Sequence, residues 1–184
     1  WKALTAQEGT SGEVGNTAVG YQSALAITSG REVTAIGFKS LLGDTIGSRT
    51  TAIGFRTMEK QVSGSVVDTH NVGVGAYAGY QNVTGVHNTY LGTSVGQGAS
   101  GQSNSYNVGV GSSALVAITT GGYNTAVGYQ AGDSITSGNS NVLIGRGTGV
   151  TMTEADEMVL IGNDAGASIN HATAADGTVA VGYS

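Results

Sequence analysis

The sequence contains no cysteine and no proline, and only 10% of its 184 residues are charged. Without cysteine, neither a disulfide framework nor a cysteine-ligated metal site can form. Without proline, every residue keeps the N–H group that a continuous backbone ladder needs. The net charge of −5, with only seven Lys and Arg residues, excludes a basic patch for nucleic acid or an anionic membrane. No apolar run is long enough for a membrane span or a signal peptide.

The chain does contain a repeated glycine. Ten short apolar segments each end in one, and the steps between these glycines are 17, 17, 21, 17, 19, 17, 17, 17 and 20 residues. The ten are Gly20, Gly37, Gly54, Gly75, Gly92, Gly111, Gly128, Gly145, Gly162 and Gly182. This spacing indicates one small unit stacked many times. It predicts a structural role for the glycines and argues against catalysis, because a repeated unit singles out no place for chemistry.

The residues before each glycine predict a short strand. The residue directly before it is always branched and aliphatic, and two positions earlier stands Thr or Val in every repeat. These two positions point to the same face of a strand, so we predict that the branched residues form the core. The predicted core residues are Val19, Ile36, Ile53, Val74, Leu91, Val110, Val127, Ile144, Ile161 and Val181. The position between them is usually Ala or Gly, and we expect it to face outwards against another copy of the chain.

The predicted fold is all-β, a stacked parallel β-roll or β-solenoid of about ten rungs. Residues 1–13 are expected to form an N-terminal junction and residues 14–184 the ten-repeat roll. Each rung is expected to hold a strand, a tight turn and a short second strand. A roll with such short turns has a thin core, so we expect an intertwined or side-by-side homotrimer. The start at Trp1, which is not Met, predicts a segment of a longer protein.

A second regularity links the small strand position to the residue after the glycine. Where the small position is Ala, the residue after the glycine is aromatic, as in Ala18 with Tyr21 and Ala126 with Tyr129. Where the position is Gly, Tyr or Leu, the residue after the glycine is not aromatic. We expect the two positions to share one packing volume.

A polar column stands at the start of most of the strands. Asparagine recurs there, at Asn16, Asn71, Asn88, Asn107, Asn124 and Asn141. A stacked amide ladder or an Asx turn would satisfy the backbone at this position.

The column five residues before the glycine allows two interpretations. Stacking would place His70 over His87, Tyr106 over Tyr123, and a Glu over an Arg in the second and third repeats. One interpretation is a surface ladder of rings with one exposed ion pair. In the other, His70 and His87 are candidates for binding a divalent metal ion. All four residues are then candidates for receptor binding, since exposed rings stack on sugars.

Motifs typical of enzymes fall within the repeat itself. Residues 92–96 match G-x-S-x-G and residues 96–101 match G-x-G-x-x-G, but neither has the strand-to-helix setting that those motifs require. The acidic cluster of Glu154, Asp156 and Glu157 is expected in an exposed turn rather than as a glycosidase pair. No acidic calcium-binding nonapeptide occurs. We therefore predict a protein that is not an enzyme and has no cofactor.

Insertions mark where a regular roll could gain a further role. The long steps place extra residues near 59–70, 96–106 and 167–177. Surface loops on a rigid scaffold often carry recognition, and tolerated bulges are the alternative. A glycosylation sequon also occurs, at residues 82–84.

The repeats at residues 16–23 and 124–131 resemble the glycine-rich β-roll repeats of phage tail fibres. They are also similar to the heads of trimeric autotransporter adhesins, and the resemblance covers residues 14–184. It implies three parallel chains in a virion tail fibre, which span distance and contact a bacterial surface glycan or outer-membrane receptor. The alternative is the head of a bacterial trimeric adhesin at the cell surface. Neither family implies catalysis, nucleic-acid binding or membrane insertion.

Overall fold

The computed structural model describes residues 2–8, 14–64, 68–169 and 176–183. Ten three-residue strands pair in chain order as one parallel sheet. They are β1 (Thr17–Val19), β2 (Thr34–Ile36), β3 (Thr51–Ile53), β4 (Val72–Val74), β5 (Thr89–Leu91), β6 (Val108–Val110), β7 (Thr125–Val127), β8 (Val142–Ile144), β9 (Val159–Ile161) and β10 (Val179–Val181). Within these ranges no residue lies in a helix. The predicted all-β solenoid of about ten rungs is confirmed.

The segment before the first rung runs alongside it. The N–H of Leu4 donates to the carbonyl of Ser23 at 3.0 Å, and the N–H of Gln22 donates to the carbonyl of Lys2 at 2.7 Å. Residues 2–8 of the predicted junction therefore add part of a rung to the roll.

The glycine after each strand sets how closely the rungs stack. Neighbouring strands pair column by column, for example Ala18 with Ala35. The ten glycines have φ between +119° and +151°, a region that side chains rarely adopt. At nine of them, from Gly20 to Gly162, an added Cβ would lie 2.0 to 2.9 Å from the carbonyl oxygen of the next glycine. Because backbone passes directly over backbone here, no side chain fits this column.

We predict that Gly128→Ala destabilises the fold by about 3 kcal/mol or more. Its φ is +141°, and the new methyl group would lie 2.3 Å from the carbonyl oxygen of Gly145. The control is Gly15→Ala, where φ is +60° and nothing lies within 4 Å of an added Cβ. Thermal unfolding followed by circular dichroism measures both variants. Equal losses in melting temperature would contradict the close-approach account.

The remainder of each rung is turn, so the predicted second strand does not occur among the described residues. Residues two and four positions after the glycine are left-handed, as at Lys39 (φ 53°) and Leu41 (φ 50°). Left-handed residues at alternate positions break the extended geometry of a strand. Stacking continues nonetheless, because the N–H of Leu41 donates to the carbonyl of Thr57 at 2.9 Å. Each rung is thus tied to the next on both sides of the roll.

The predicted orientation of the strands is wrong. The middle residue of the strand points into the roll, and Ala35, Tyr90 and Leu143 are completely buried. None of the ten predicted core residues is buried, and six are exposed. These outward residues are Val19, Ile36, Ile53, Val74, Leu91, Val110, Val127, Ile144, Ile161 and Val181. Because each rung is short, the interior of the roll is narrow. A small inward strand residue therefore packs against large side chains from the turn side of the roll, such as Leu115 and Ile118.

In six of the nine complete rungs, the inward strand residue and the turn residue six positions later differ in size; in the other three both are small, and a side chain of a neighbouring rung, such as Met58 beside Gly73 and Gly79, fills the space. In three rungs the strand residue is small and the turn residue large, as in Ala52 with Met58. In three others the strand residue is large and the turn residue is glycine, as in Tyr90 with Gly96. A Cβ on Gly96 would lie 2.4 Å from the Tyr90 ring, so the two positions share one volume. The predicted packing of Ala126 with Tyr129 is wrong, because Tyr129 is exposed on the other face.

Asparagine side chains form a ladder inside the roll. Five of them are buried: Asn71, Asn88, Asn107, Asn124 and Asn141. The Oδ1 of Asn107 accepts the backbone N–H of Asn124 at 3.0 Å and its Nδ2–H at 3.1 Å. The Nδ2 of Asn107 also donates to the carbonyl of Gly121 at 2.9 Å. The predicted amide ladder is confirmed, and it satisfies backbone groups that the narrow core would otherwise leave unpaired.

Candidate functional site: the outward side of the sheet

The outward side of the sheet is an apolar surface. We call the two outward residues of each strand the strand face; all are Thr, Val, Ile or Leu, so none carries a charge. Of the exposed large hydrophobic residues in the described chain, all except Val62 lie on the strand face, directly after the glycine, or five residues before it. Such a concentration on one side marks an interaction surface.

The strand face and the residues directly after the glycine provide much of the area of a stable interface. Nine rung-to-rung steps of about 4.8 Å give a length of about 43 Å, and four residue steps of about 3.3 Å, from the first strand residue to the residue after the glycine, give a width of about 13 Å. The product, about 570 Å², is about two thirds of what each partner buries in a standard protein interface.

A strip of aromatic rings borders the strand face on its glycine side. Tyr21, Phe38 and Phe55 stack with centroids 5.5 and 5.3 Å apart. Tyr77 meets Phe55 edge-on at 5.4 Å and Tyr80 at 5.5 Å. We call these five residues the aromatic strip. Because the chain bends at the glycine column, the aromatic strip and the strand face are two surfaces that adjoin along one edge.

A charged cluster anchors the aromatic strip. The Arg56 guanidinium lies 5.8 Å from the Tyr77 ring centroid and 5.1 Å from that of Tyr80. It pairs with the buried carboxylate of Glu59, donating to Oε1 at 3.1 Å, and Lys60 lies 3.5 Å from the same oxygen. Burial alone would raise the pKa of Glu59, but the hydrogen bond from Arg56 and the charges of Arg56 and Lys60 lower it below its ordinary value.

The Glu59 pair predicts a loss of stability in acid. Because the folded-state pKa is lowered, the stabilisation is present above the ordinary glutamate pKa and disappears as the pH falls through the folded value. Glu59→Gln is expected to lower the free energy of unfolding at pH 7 by about 1 to 2 kcal/mol. The gap to the wild type should shrink as the pH falls below about 4. Urea unfolding at several pH values tests this, and a gap independent of pH would contradict it.

A second row of rings borders the strand face on the opposite side. We call His70, His87, Tyr106 and Tyr123 the ring column. Their centroids are 4.8, 5.1 and 4.8 Å apart along the chain, with interplanar angles of 14°, 8° and 2°. All four are left-handed, with φ of 51° to 62°, so their side chains leave the backbone in the same way. Both predicted stacks are confirmed, and the structure adds the contact between His87 and Tyr106.

In the two rungs before His70, the position five residues before the glycine holds an ion pair instead of rings. Arg49 donates from Nε to Glu32 at 2.9 Å and from Nη1 to Asp68 at 2.7 Å. The predicted pairing of Glu32 with Arg49 is confirmed. All three side chains are about half exposed, so the pairs add little to stability.

The arrangement of the rings bears on the metal hypothesis for His70 and His87. Imidazole lone pairs lie in the ring plane, so two nearly parallel rings do not aim them at one point between the rings. Across the ranges that the structure describes, no group of three or more His, Asp or Glu side chains could hold a metal ion. Metal binding by this pair stays a prediction that the stacking does not favour.

The enzyme-like motifs occupy ordinary repeat positions. Ser94 of the G-x-S-x-G match sits in a left-handed turn (φ 55°), and its N–H donates to the carbonyl of Ala76 at 2.8 Å. The sequon asparagine, Asn82, is buried, and its Oδ1 accepts the N–H groups of Gly85 at 3.1 Å and Asn104 at 3.2 Å. Glycosylation of Asn82 would break this packing.

A polar network at the longest step was not predicted from the sequence. The buried Asp44 carboxylate accepts hydrogen bonds from the N–H of Gly47 at 3.1 Å, the hydroxyl of Ser63 at 2.7 Å and the amide of Gln61 at 2.9 Å. Gln61 in turn accepts from Asn71 at 3.0 Å, which joins the network to the asparagine ladder. The polar residues within the 21-residue step were the available signal. Parts of two predicted insertions, residues 65–67 and 170–175, lie outside the described residues.

Comparison with protein-family models, curated proteins and solved structures finds no match to this chain. In the described portion, no helix is long and apolar enough to cross a membrane.

Proposed function

We propose that this chain is a non-catalytic structural segment of a phage tail fibre, in which three parallel copies pack through the strand face and the aromatic strip. One observation carries the proposal: nearly all exposed large apolar side chains gather on one side of the roll, and the strand face at its centre bears no charge. Left in water, such a surface would favour aggregation.

A second copy of the chain is the occupant that fits this surface best. The strand face is a ladder with one ridge per rung, at the spacing of hydrogen-bonded strands. Only a partner with the same rung spacing can fit its ridges between these ridges along the whole length. A parallel copy has that spacing by construction.

Three copies suit the cross-section better than two. A twofold pair would cover one flat face on each chain. Around a threefold axis each chain contacts two neighbours and needs two adjoining apolar surfaces. The strand face supplies one along all ten rungs, and the aromatic strip, which meets it at the glycine bend, supplies a second over the first four rungs.

The assignment to a phage tail fibre rests on the resemblance of the repeats at residues 16–23 and 124–131. In a tail fibre the segment acts as a spacer along the fibre and contacts a glycan or an outer-membrane receptor on the bacterial surface. The head of a bacterial adhesin would use the same three-chain packing. Cleavage of a host polysaccharide by the purified protein would contradict a non-catalytic role.

Light scattering tests the association. We expect a solution mass about three times the 18.3 kDa of one chain. Ile144→Glu should reduce the mass, because it places three charges within the apolar interface. The matched control is Val62→Glu: both residues are similarly exposed, at 38% and 41%, but Val62 lies off the strand face. A folded wild-type monomer, or equal effects of the two substitutions, would contradict the proposal.

A further inference from the structure

The stack of rings ends with one open face. Tyr123 is the last ring of the ring column and is 63% exposed, against 44% for Tyr106 beneath it. The inner rings cover each other's faces and present only their edges. Above Tyr123 the column continues with Ser140 and Glu157, which share its left-handed backbone (φ 60°, 59° and 58°).

These three residues form a slot with the thickness of one ring. Two rung steps separate Tyr123 from Glu157, a rise of about 9.6 Å. Ser140 lies between them, and its short side chain leaves the outer part of that level open. A ring placed over Tyr123 at the spacing of the stack would occupy the level of Ser140. We call Tyr123, Ser140 and Glu157 the ring slot.

The backbone of the ring slot is held rigidly. The N–H of Ser140 donates to the carbonyl of Gly122 at 3.0 Å, and the N–H of Glu157 donates to that of Asn139 at 3.0 Å. Beside the slot, the Asn139 side chain accepts the N–H of Gly122 at 2.9 Å, and Asp156 accepts the N–H of Asn139 at 2.6 Å. A site fixed in this way loses little entropy when a ligand binds.

We propose that the ring slot binds one pyranose ring of a neutral saccharide. The C–H face of the sugar lies on Tyr123, and its hydroxyl groups hydrogen-bond to the Ser140 hydroxyl and the Glu157 carboxylate. Neither group has a partner among the described side chains. The carboxylates of Glu157 and Asp156 and the net charge of −5 disfavour an anionic ligand. The other end of the stack lacks these features. The residue stacked next to His70 there is Arg49, which is paired with two carboxylates.

This inference rests on the receptor contact in the proposed function and gives it a site and a ligand class. It does not depend on the number of chains. If the protein is oligomeric but binds no sugar, only the ring-slot proposal is overturned. If it is monomeric and binds sugar, only the three-chain packing is overturned.

Saturation-transfer NMR with maltohexaose, cellohexaose and chitohexaose at millimolar concentration tests the slot. We expect transfer to at least one of these. Tyr123→Ala should raise its Kd by about tenfold or more, because it removes the stacking surface. Ser140→Tyr should abolish binding by placing a fifth ring in the slot, while the melting temperature is kept or raised. Tyr129→Ala, an exposed tyrosine outside the ring column, is the matched control and should bind normally.

Three results would overturn the inference. The first is no transfer to any of the three oligosaccharides. The second is unchanged binding after Ser140→Tyr in a folded protein. The third is binding of methylguanidinium in place of the sugars, lost in the same two variants, because the slot would then be a cation site.

Discussion

The structure depends on the stacking of backbone on backbone at the glycine column. Side chains are excluded there because each of the first nine glycines lies against the carbonyl of the next, with φ of +119° or more. That contact keeps the rungs in register, so every other column is repeated at the same spacing. The asparagine ladder, the stacked rings and the strand face are all consequences of this register, since each is one side chain repeated at one place in the rung.

The shortness of each rung explains why the apolar strand face lies on the outside of the roll. A rung of about 17 residues encloses only a narrow interior, in which a large residue at one position is matched by a small residue at the position facing it, as with Ala52 and Met58 or Tyr90 and Gly96. The branched residues before the glycine have no room inside. They form a regular, uncharged surface that a single chain leaves in contact with water.

The repeat spacing was sufficient to predict the fold, the register, the amide ladder and the ring stacks, because each follows from counting positions between glycines. The orientation of the strands could not be predicted this way. Branched residues such as Val127 suggest a core by composition, but the choice of face depends on the turn opposite, whose left-handed residues, such as Leu41 and Met58, have no simple sequence signature. The pairing of Tyr90 with Gly96 was visible in the sequence, but only once the two positions were known to face each other.

The roll is complete in its backbone but leaves the strand face exposed, and we propose that further copies of the chain cover this face. Because the chain has no native cysteine, a single spin label can be placed on Val127→Cys, and dipolar spectroscopy then measures the distance between copies. Given sheet packing at about 10 Å, we expect the labels within about 20 Å of one another, and labels on Val62→Cys farther apart. Labels on Val127→Cys that show no coupling in the assembled protein would contradict the account.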